Sequence, residues 1–229
     1  MKIIISFFAA HLLFSCGTNT FEQVETTKDV AEEATRALDE QKSDKAISIL
    51  TEALVDDPTN YQYISLLASA KAQKSGVDTM DFALSMASGN SDSGNAITGL
   101  FGVVPDATDE AISLLSEAVT HMDSIPSAEL IPADQFKSSM FYSSLMTMQT
   151  KALDSDGDGV LSAEELLAMS EAEASTIINS ITGAESAIAN YSASDGTGTA
   201  ATNVGQIKSD IDGQAGSTDA EKLRNYLGS

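Results

Sequence analysis

Apolar residues recur at three- and four-residue steps through most of this 229-residue chain, and this spacing restricts the possible fold more than any other feature. Such spacing places the apolar side chains together on one face of a helix. The first part of the chain is predicted to contain four helices, over Asp29–Gln41, Asp44–Asp57, Asn60–Gly76 and Thr79–Ala87. Because the same spacing returns further along, the whole chain is predicted to be all-α.

An internal repeat is also present, since Asp44–Leu54 aligns with Asp109–Val119. The offset between the two segments is close to twice the period of about 34 residues that defines tetratricopeptide repeats. Residues of the sizes typical of that family stand at Ala34, Ala46, Leu50, Ala53 and Pro58. The segment Asp29–Ile125 therefore resembles a divergent tetratricopeptide-like helical array, although the aromatic and glycine positions of the family's first helix are missing. The alternative is an irregular helical bundle with alanine-rich seams.

An acidic segment of twelve residues, 154–165, follows a helix predicted over about Asp134–Leu153. Aspartates occupy its first, third and fifth positions, a glycine occupies the sixth, and a glutamate occupies the twelfth. This pattern resembles the calcium-binding loop of EF-hand proteins. The resemblance implies one bound calcium ion and six ligand residues: Asp154, Asp156, Asp158, Val160 through its backbone carbonyl, Ser162 and Glu165.

Calcium suits these ligands because it takes six to eight hard oxygens, whereas zinc and copper prefer nitrogen and sulfur. The alternative is an acidic turn in which Ser162 and Glu165 form an ordinary helix capping box, and both interpretations can hold together. In a later acidic segment, Asp210–Glu221, Ala215 replaces the required glycine, so we interpret it as a helix start with solvated acids. A lone loop favours a structural role, in which calcium fixes the angle between the preceding helix and one predicted over Ala163–Asn190.

Residues 1–15 are typical of a secretory signal, with a positive start and an apolar stretch too short to span a bilayer. The segment Leu13-Phe14-Ser15-Cys16-Gly17 resembles the lipobox of bacterial lipoproteins. The resemblance implies that Cys16 is lipidated and anchors the chain to a membrane facing the periplasm, and Gly17 favours the outer membrane. Residues 16–27 would then form a short tether. The alternative is a plain cleaved signal or an N-terminal helix that buries Cys16.

The remaining segments complete the predicted organisation. The apolar segment Ala96–Pro105 is interpreted as a buried connector or short core helix, with a surface that contacts a partner as the alternative. The helical domain is predicted over 28–191, and the chain over 192–229 is predicted to contain a flexible link and two short helices. The bounds of these three pieces are Ser192–Thr202, Val204–Ile211 and Thr218–Leu227.

The charge and the missing motifs argue against two classes of function. Acidic residues number 34 against 12 basic ones, so the net charge of −22 disfavours a nucleic-acid partner, because phosphate binding relies on Lys and Arg. The chain has no glycine-rich phosphate loop and no Gly-x-Ser-x-Gly elbow. His121 lies near the end of a helix, where interaction with the helix dipole is favoured over proton transfer. The chain is therefore predicted not to be an enzyme.

Together these features predict an exported, lipid-anchored, calcium-binding helical protein that acts as a structural scaffold or as an interaction scaffold for a protein partner. The alternative is a small-molecule binding protein or a transporter accessory in the periplasm, with calcium as a structural brace. A metal-dependent hydrolase is the least favoured class, because a closed shell of protein oxygens leaves little room for a substrate.

Overall fold

The computed structural model describes residues 29–88, 95–195 and 199–229. Within these residues the chain is all-α and contains no strand, which confirms the predicted fold class. The signal segment, the lipobox at Cys16 and the tether over 16–27 lie outside the described residues. The α-helices are α1 (Val30–Asp39), α2 (Ser43–Asp56), α3 (Tyr61–Lys74), α4 (Thr79–Ser88), α5 (Asp109–Asp123), α6 (Pro132–Lys151), α7 (Ala163–Ala168), α8 (Glu171–Asp195), α9 (Thr199–Asp212) and α10 (Asp219–Leu227). None of these helices is both long and apolar enough to cross a lipid bilayer.

Several of the described helices begin at a side-chain cap that the sequence supplies. The N-cap residues of α1, α3, α5 and α10 are Asp29, Asn60, Thr108 and Thr218. Each of these side chains accepts a hydrogen bond from a backbone N–H two or three residues further on, which replaces a partner that the first helical turn lacks. The helix starts predicted at Asp29, Asn60 and Thr218 are therefore confirmed to within one residue.

The two segments of the internal repeat form α2 and α5, and both helices pack against α3. Equivalent positions of the repeat are buried, namely Ala46 with Ala111 and Leu50 with Leu115. Where α1, α2 and α3 meet, Ala37, Ala46 and Ala70 form a cluster of small side chains, and such side chains let helices approach closely. The tetratricopeptide-like arrangement itself stays a prediction, because helical bundles use the same packing.

Helix α6 has eleven buried residues, and its interface with α8 is the most extensive one between described helices. It contributes to both large apolar clusters, one built mainly from α3, α4, α5 and α8 and the other mainly from α7 to α10. The predicted connector contains a 3₁₀ helix, Thr98–Val103, that adds residues to both clusters. Since Ile97, Leu100 and Phe101 are buried there, the prediction of a buried connector is confirmed.

The single helix predicted over Ala163–Asn190 is wrong, because the structure divides it into α7 and α8. Ser170 stands between these two helices and Glu173 lies in the first turn of α8. The backbone N–H of each residue donates to the side chain of the other, at 2.7 and 3.2 Å. This pair is a capping box, which starts α8 and ends the preceding helix after six residues.

The flexible link predicted over Ser192–Thr202 also differs from the structure. Helix α8 continues to Asp195 and α9 begins at Thr199, while residues 196–198 lie outside the described part of the chain. Helix α9 is thus longer than the helix predicted over Val204–Ile211. The alanines near its start favour helix, and its apolar residues share one buried face: Val204, Ile207 and Ile211.

Candidate metal centre

The chain between α6 and α7 forms a loop that turns at two glycines. Gly157 has a φ of 73° and Gly159 a φ of 85°, in the left-handed region that a side chain makes costly. Gly159 is the sixth residue of the segment, where the EF-hand pattern places its glycine. A β-carbon at either position would meet nothing within 4 Å, so the backbone conformation, and not crowding, explains these glycines.

The three aspartates of the loop converge. One carboxylate oxygen from each of Asp154, Asp156 and Asp158 lies within 4.8 Å of the others. Backbone N–H groups orient these oxygens, since Gly157 and Gly159 each donate to Asp154 at 2.8 Å. Asp156 and Asp158 each accept a hydrogen bond from the N–H two residues further on, at 3.1 and 2.8 Å. Carboxylates this close repel one another, so the arrangement favours a cation.

Glu165 is only 9% exposed, and its carboxylate is turned towards the loop. Its Oε1 accepts hydrogen bonds from the N–H and hydroxyl of Ser155, at 2.6 and 2.9 Å. Its Oε2 accepts from the N–H and hydroxyl of Ser162, both at 2.9 Å, and the capping box predicted for this pair is present. The donors of Ser162 and Ser155 lower the pKa of Glu165 to about 2, so this carboxyl group is ionised at neutral pH.

The electrostatics of the loop are visible at Asp156. The N–H of Asp158 lowers the pKa of Asp156, but desolvation and the negative charges of Asp158 and Glu165 together raise that pKa above its ordinary value.

Val160 is 65% exposed, whereas Leu161 packs against the apolar cluster formed by α7 to α10 and attaches the loop to the body. The carboxylates that lie within 4.8 Å of one another are those of the three aspartates. Glu165 lies beside these three carboxylates and accepts a hydrogen bond from the loop backbone at Asp156.

Sequence reasoning missed two residues that shape this site. Ser155 supplies two donors to one oxygen of Glu165, with the N–H of Asp156 as a third at 3.4 Å, and its place between two aspartates gave no signal of that role. Lys151 ends α6, and its ammonium group donates to the backbone carbonyls of Phe101, Val104 and Pro105 at 3.2, 3.4 and 3.3 Å. These contacts attach the helix before the loop to the connector. No local signal indicated these contacts, because the connector lies 46–50 residues away in sequence.

The acidic segment Asp210–Glu221 has a different structure. Thr218 caps α10, and the carboxylate of Glu221 accepts hydrogen bonds from the N–H and hydroxyl of Ser217 at 2.6 and 2.9 Å. Among the described residues, the aspartates of the 154–165 loop form the only group of three or more ligand-type side chains that could hold a metal ion. The helix start predicted for this segment is confirmed.

His121 lies in the last turn of α5, as predicted, but its surroundings favour the neutral ring. Burial lowers its pKa first, the charge of Lys71 lowers it further, and Glu117 opposes both. The lowered pKa leaves less positive charge on the ring at neutral pH, and its interaction with the helix dipole stays a prediction.

The chain matches no protein-family model, no curated protein and no solved structure. The fold and the site define an all-α chain with an acidic loop between two helices. Its function has to be inferred from the residues of that loop and from their surroundings.

Proposed function

We propose that this chain is an exported, lipid-anchored, non-enzymatic protein of the cell envelope that binds one calcium ion in residues 154–165. Calcium acts as a brace between α6 and α7, and the helical body serves as a structural or protein-interaction scaffold. The observation that carries the proposal is the convergence of Asp154, Asp156 and Asp158 in a loop that also turns Glu165 inward.

The donor atoms favour calcium over other cations. The loop offers only oxygen, and calcium accepts six to eight oxygens in a flexible geometry. Magnesium needs a smaller, nearly octahedral shell and keeps several waters, while zinc and copper prefer nitrogen and sulfur ligands. Glu165 would add two oxygens to those of the aspartates, Val160 would add its backbone carbonyl, and Ser162 would act directly or through water.

Such an ion would connect the two helices that flank the loop. The aspartates directly follow α6, and Glu165 stands in the first turn of α7. To bind the ion, Glu165 must exchange part of its hydrogen bonding to Ser155 and Ser162, because each carboxylate oxygen has two lone pairs. This exchange favours a modest affinity, with a Kd of about 10⁻⁴–10⁻³ M as in extracellular calcium modules.

Titration calorimetry of the full-length protein in detergent tests the site with a matched pair of variants. Glu165→Gln removes one charge and one anionic oxygen from the loop, and Glu164→Gln removes the same charge from its exposed neighbour. We expect one calcium per chain for the wild type and for Glu164→Gln, and no measurable binding for Glu165→Gln. Equal binding by all three proteins would refute the assignment of the loop.

The lipid anchor is supported by the sequence alone, because Cys16 lies outside the described residues. Several acyl chains give stable membrane attachment where a single chain gives only marginal binding. We expect the wild type to fractionate with the membranes. Cys16→Ser lacks the thiol that lipidation requires, so we expect this variant in the soluble fraction. Fractionation and immunoblotting compare the two proteins, and unchanged membrane association of the variant would exclude the anchor.

A second candidate function, small-molecule binding, is favoured by one cavity. It has a volume of about 430 Å³, within the range of about 300–1,000 Å³ that ligand pockets occupy. Its lining includes Leu38, Gln41, Gln73, Asp78, Lys137 and Phe141. Ser69 also lines the cavity, so Ser69→Phe would fill part of it. A ligand that raises the melting temperature of the wild type but not of Ser69→Phe would support this function, and equal shifts in both proteins would argue against it.

A further inference from the structure

We infer that Arg224, on the C-terminal helix α10, positions α7 so that Glu165 faces the three aspartates before a cation binds. The inference rests on the proposed calcium function and assigns Arg224 a positioning role in it. Calcium affinity would then depend on a residue that is remote from the loop in sequence.

Helix α7 cannot hold its own position. It has six residues, and helices this short are not stable in water without tertiary contacts. Its N-terminal end is fixed by the capping box of Ser162 and Glu165, but the carbonyls of its last turn have no partner within the helix. The direction in which Glu165 points therefore depends on what holds the C-terminal end of α7.

Arg224 holds that end with two hydrogen bonds from one guanidinium group. Its Nε donates to the carbonyl of Leu166 at 2.8 Å, and its Nη2 donates to the carbonyl of Met169 at 2.5 Å. A planar fork of N–H donors suits two neighbouring carbonyls, and a positive charge is favourable at the C-terminus of a helix. One side chain thus supplies partners for two of the carbonyls at the end of α7.

Apolar packing and a second polar link keep α10 in place. Leu166 and Met169 are 6% and 2% exposed. They share an apolar cluster with four residues of α10, which are Ala220, Leu223, Tyr226 and Leu227. Glu171, at the start of α8, accepts hydrogen bonds from the first two N–H groups of α10, at 3.1 and 3.3 Å. Helix α10 therefore contacts both helices that follow the loop.

The loop is consequently attached on both sides before any ion is present. Lys151 binds the helix before it to the connector, and Arg224 binds the helix after it to α10. A ligand residue that is held close to its bound position loses less conformational freedom on binding, which raises affinity. Removing the guanidinium should therefore weaken calcium binding without removing any calcium ligand.

Calorimetric calcium titration of the full-length protein in detergent tests this with three variants. Arg224→Gln removes the fork, Lys222→Gln removes the same charge from the same helix, and Arg224→Lys keeps the charge without the fork. We expect Arg224→Gln to bind one calcium about tenfold more weakly, at the lower end of what outer-shell substitutions cause in metal sites. Lys222→Gln should match the wild type, and Arg224→Lys should lie between the two.

Thermal unfolding in chelator separates positioning from general stabilisation. If Arg224 only stabilised the fold, Arg224→Gln would melt at a lower temperature in chelator but keep wild-type calcium affinity far below its melting temperature, and this result would overturn the inference. If Arg224→Gln does not fold, Arg224→Lys decides the question, since weakened binding supports the inference and wild-type binding overturns it. A wild type that binds no calcium would refute the proposed function itself, and the inference with it.

Discussion

Gly183→Ala should destabilise the protein, because Gly183 of α8 packs directly against the ring of Tyr142 of α6. A β-carbon at this position would lie 2.3 Å from Cε1, 2.5 Å from Cζ and 2.6 Å from Cδ1 of that ring. Ordinary van der Waals contacts begin at 3.4 Å, so the ring or the helix would have to move by about 1 Å.

Tyr142 resists such a movement. Its hydroxyl donates a 2.6 Å hydrogen bond to Asp123, and desolvation together with this hydrogen bond raises the pKa of the hydroxyl well above its ordinary value. The ring also lies in the most extensive helix interface of the described chain. Overpacking costs about 1–3 kcal/mol, and replacing a helical glycine by alanine returns up to about 1 kcal/mol. Because the contact is severe, we expect a net loss of about 1–2 kcal/mol.

Gly205 in α9 provides the matched control, since a β-carbon there would meet nothing within 4 Å. Gly205→Ala should raise the free energy of unfolding by about 0.5–1 kcal/mol, the ordinary gain for a helix interior. Urea unfolding followed by circular dichroism measures both variants. Opposite changes are expected, and an unchanged or raised stability of Gly183→Ala would refute the packing of α6 on α8.

Two other predictions concern single side chains. Lys151→Met should lower the free energy of unfolding by about 1–3 kcal/mol, because the carbonyls at the end of the connector lose their donor; an unchanged urea midpoint would contradict this. For His121, the pKa is lowered by folding, so the unfolded chain takes up the proton first and stability falls as the pH drops below about 6.5. His121→Gln should reduce this loss between about pH 7 and pH 5, and identical urea midpoints of variant and wild type at both pH values would contradict the assigned burial.

Much of the helical fold could be predicted because its signals are local. Caps such as Asn60 and Thr218 act within one turn, and apolar periodicity is visible in a short window. The break between α7 and α8 was also encoded locally, by Ser170 and Glu173, but it lay inside an apolar pattern that continued across it. The start of α9 was hidden because a composition rich in Gly, Ser and Thr favours a link.

The site could be predicted in part for the same reason. The three aspartates converge because residues two positions apart in a tight loop lie close together, so their spacing alone carries the geometry. The contacts of Lys151 with the connector and of Arg224 with α7 join segments that are distant in sequence. No local pattern indicates such contacts, because they depend on how the helices pack.

The most direct test of the calcium proposal is a crystal structure of the protein grown in about millimolar calcium. We expect one ion at about 2.3–2.6 Å from its oxygen ligands. Those ligands should come from Asp154, Asp156, Asp158, Val160 and both carboxylate oxygens of Glu165. At least one serine hydroxyl should have left the Glu165 carboxylate. A loop without an ion, in which Glu165 still accepts from both Ser155 and Ser162, would contradict the proposal.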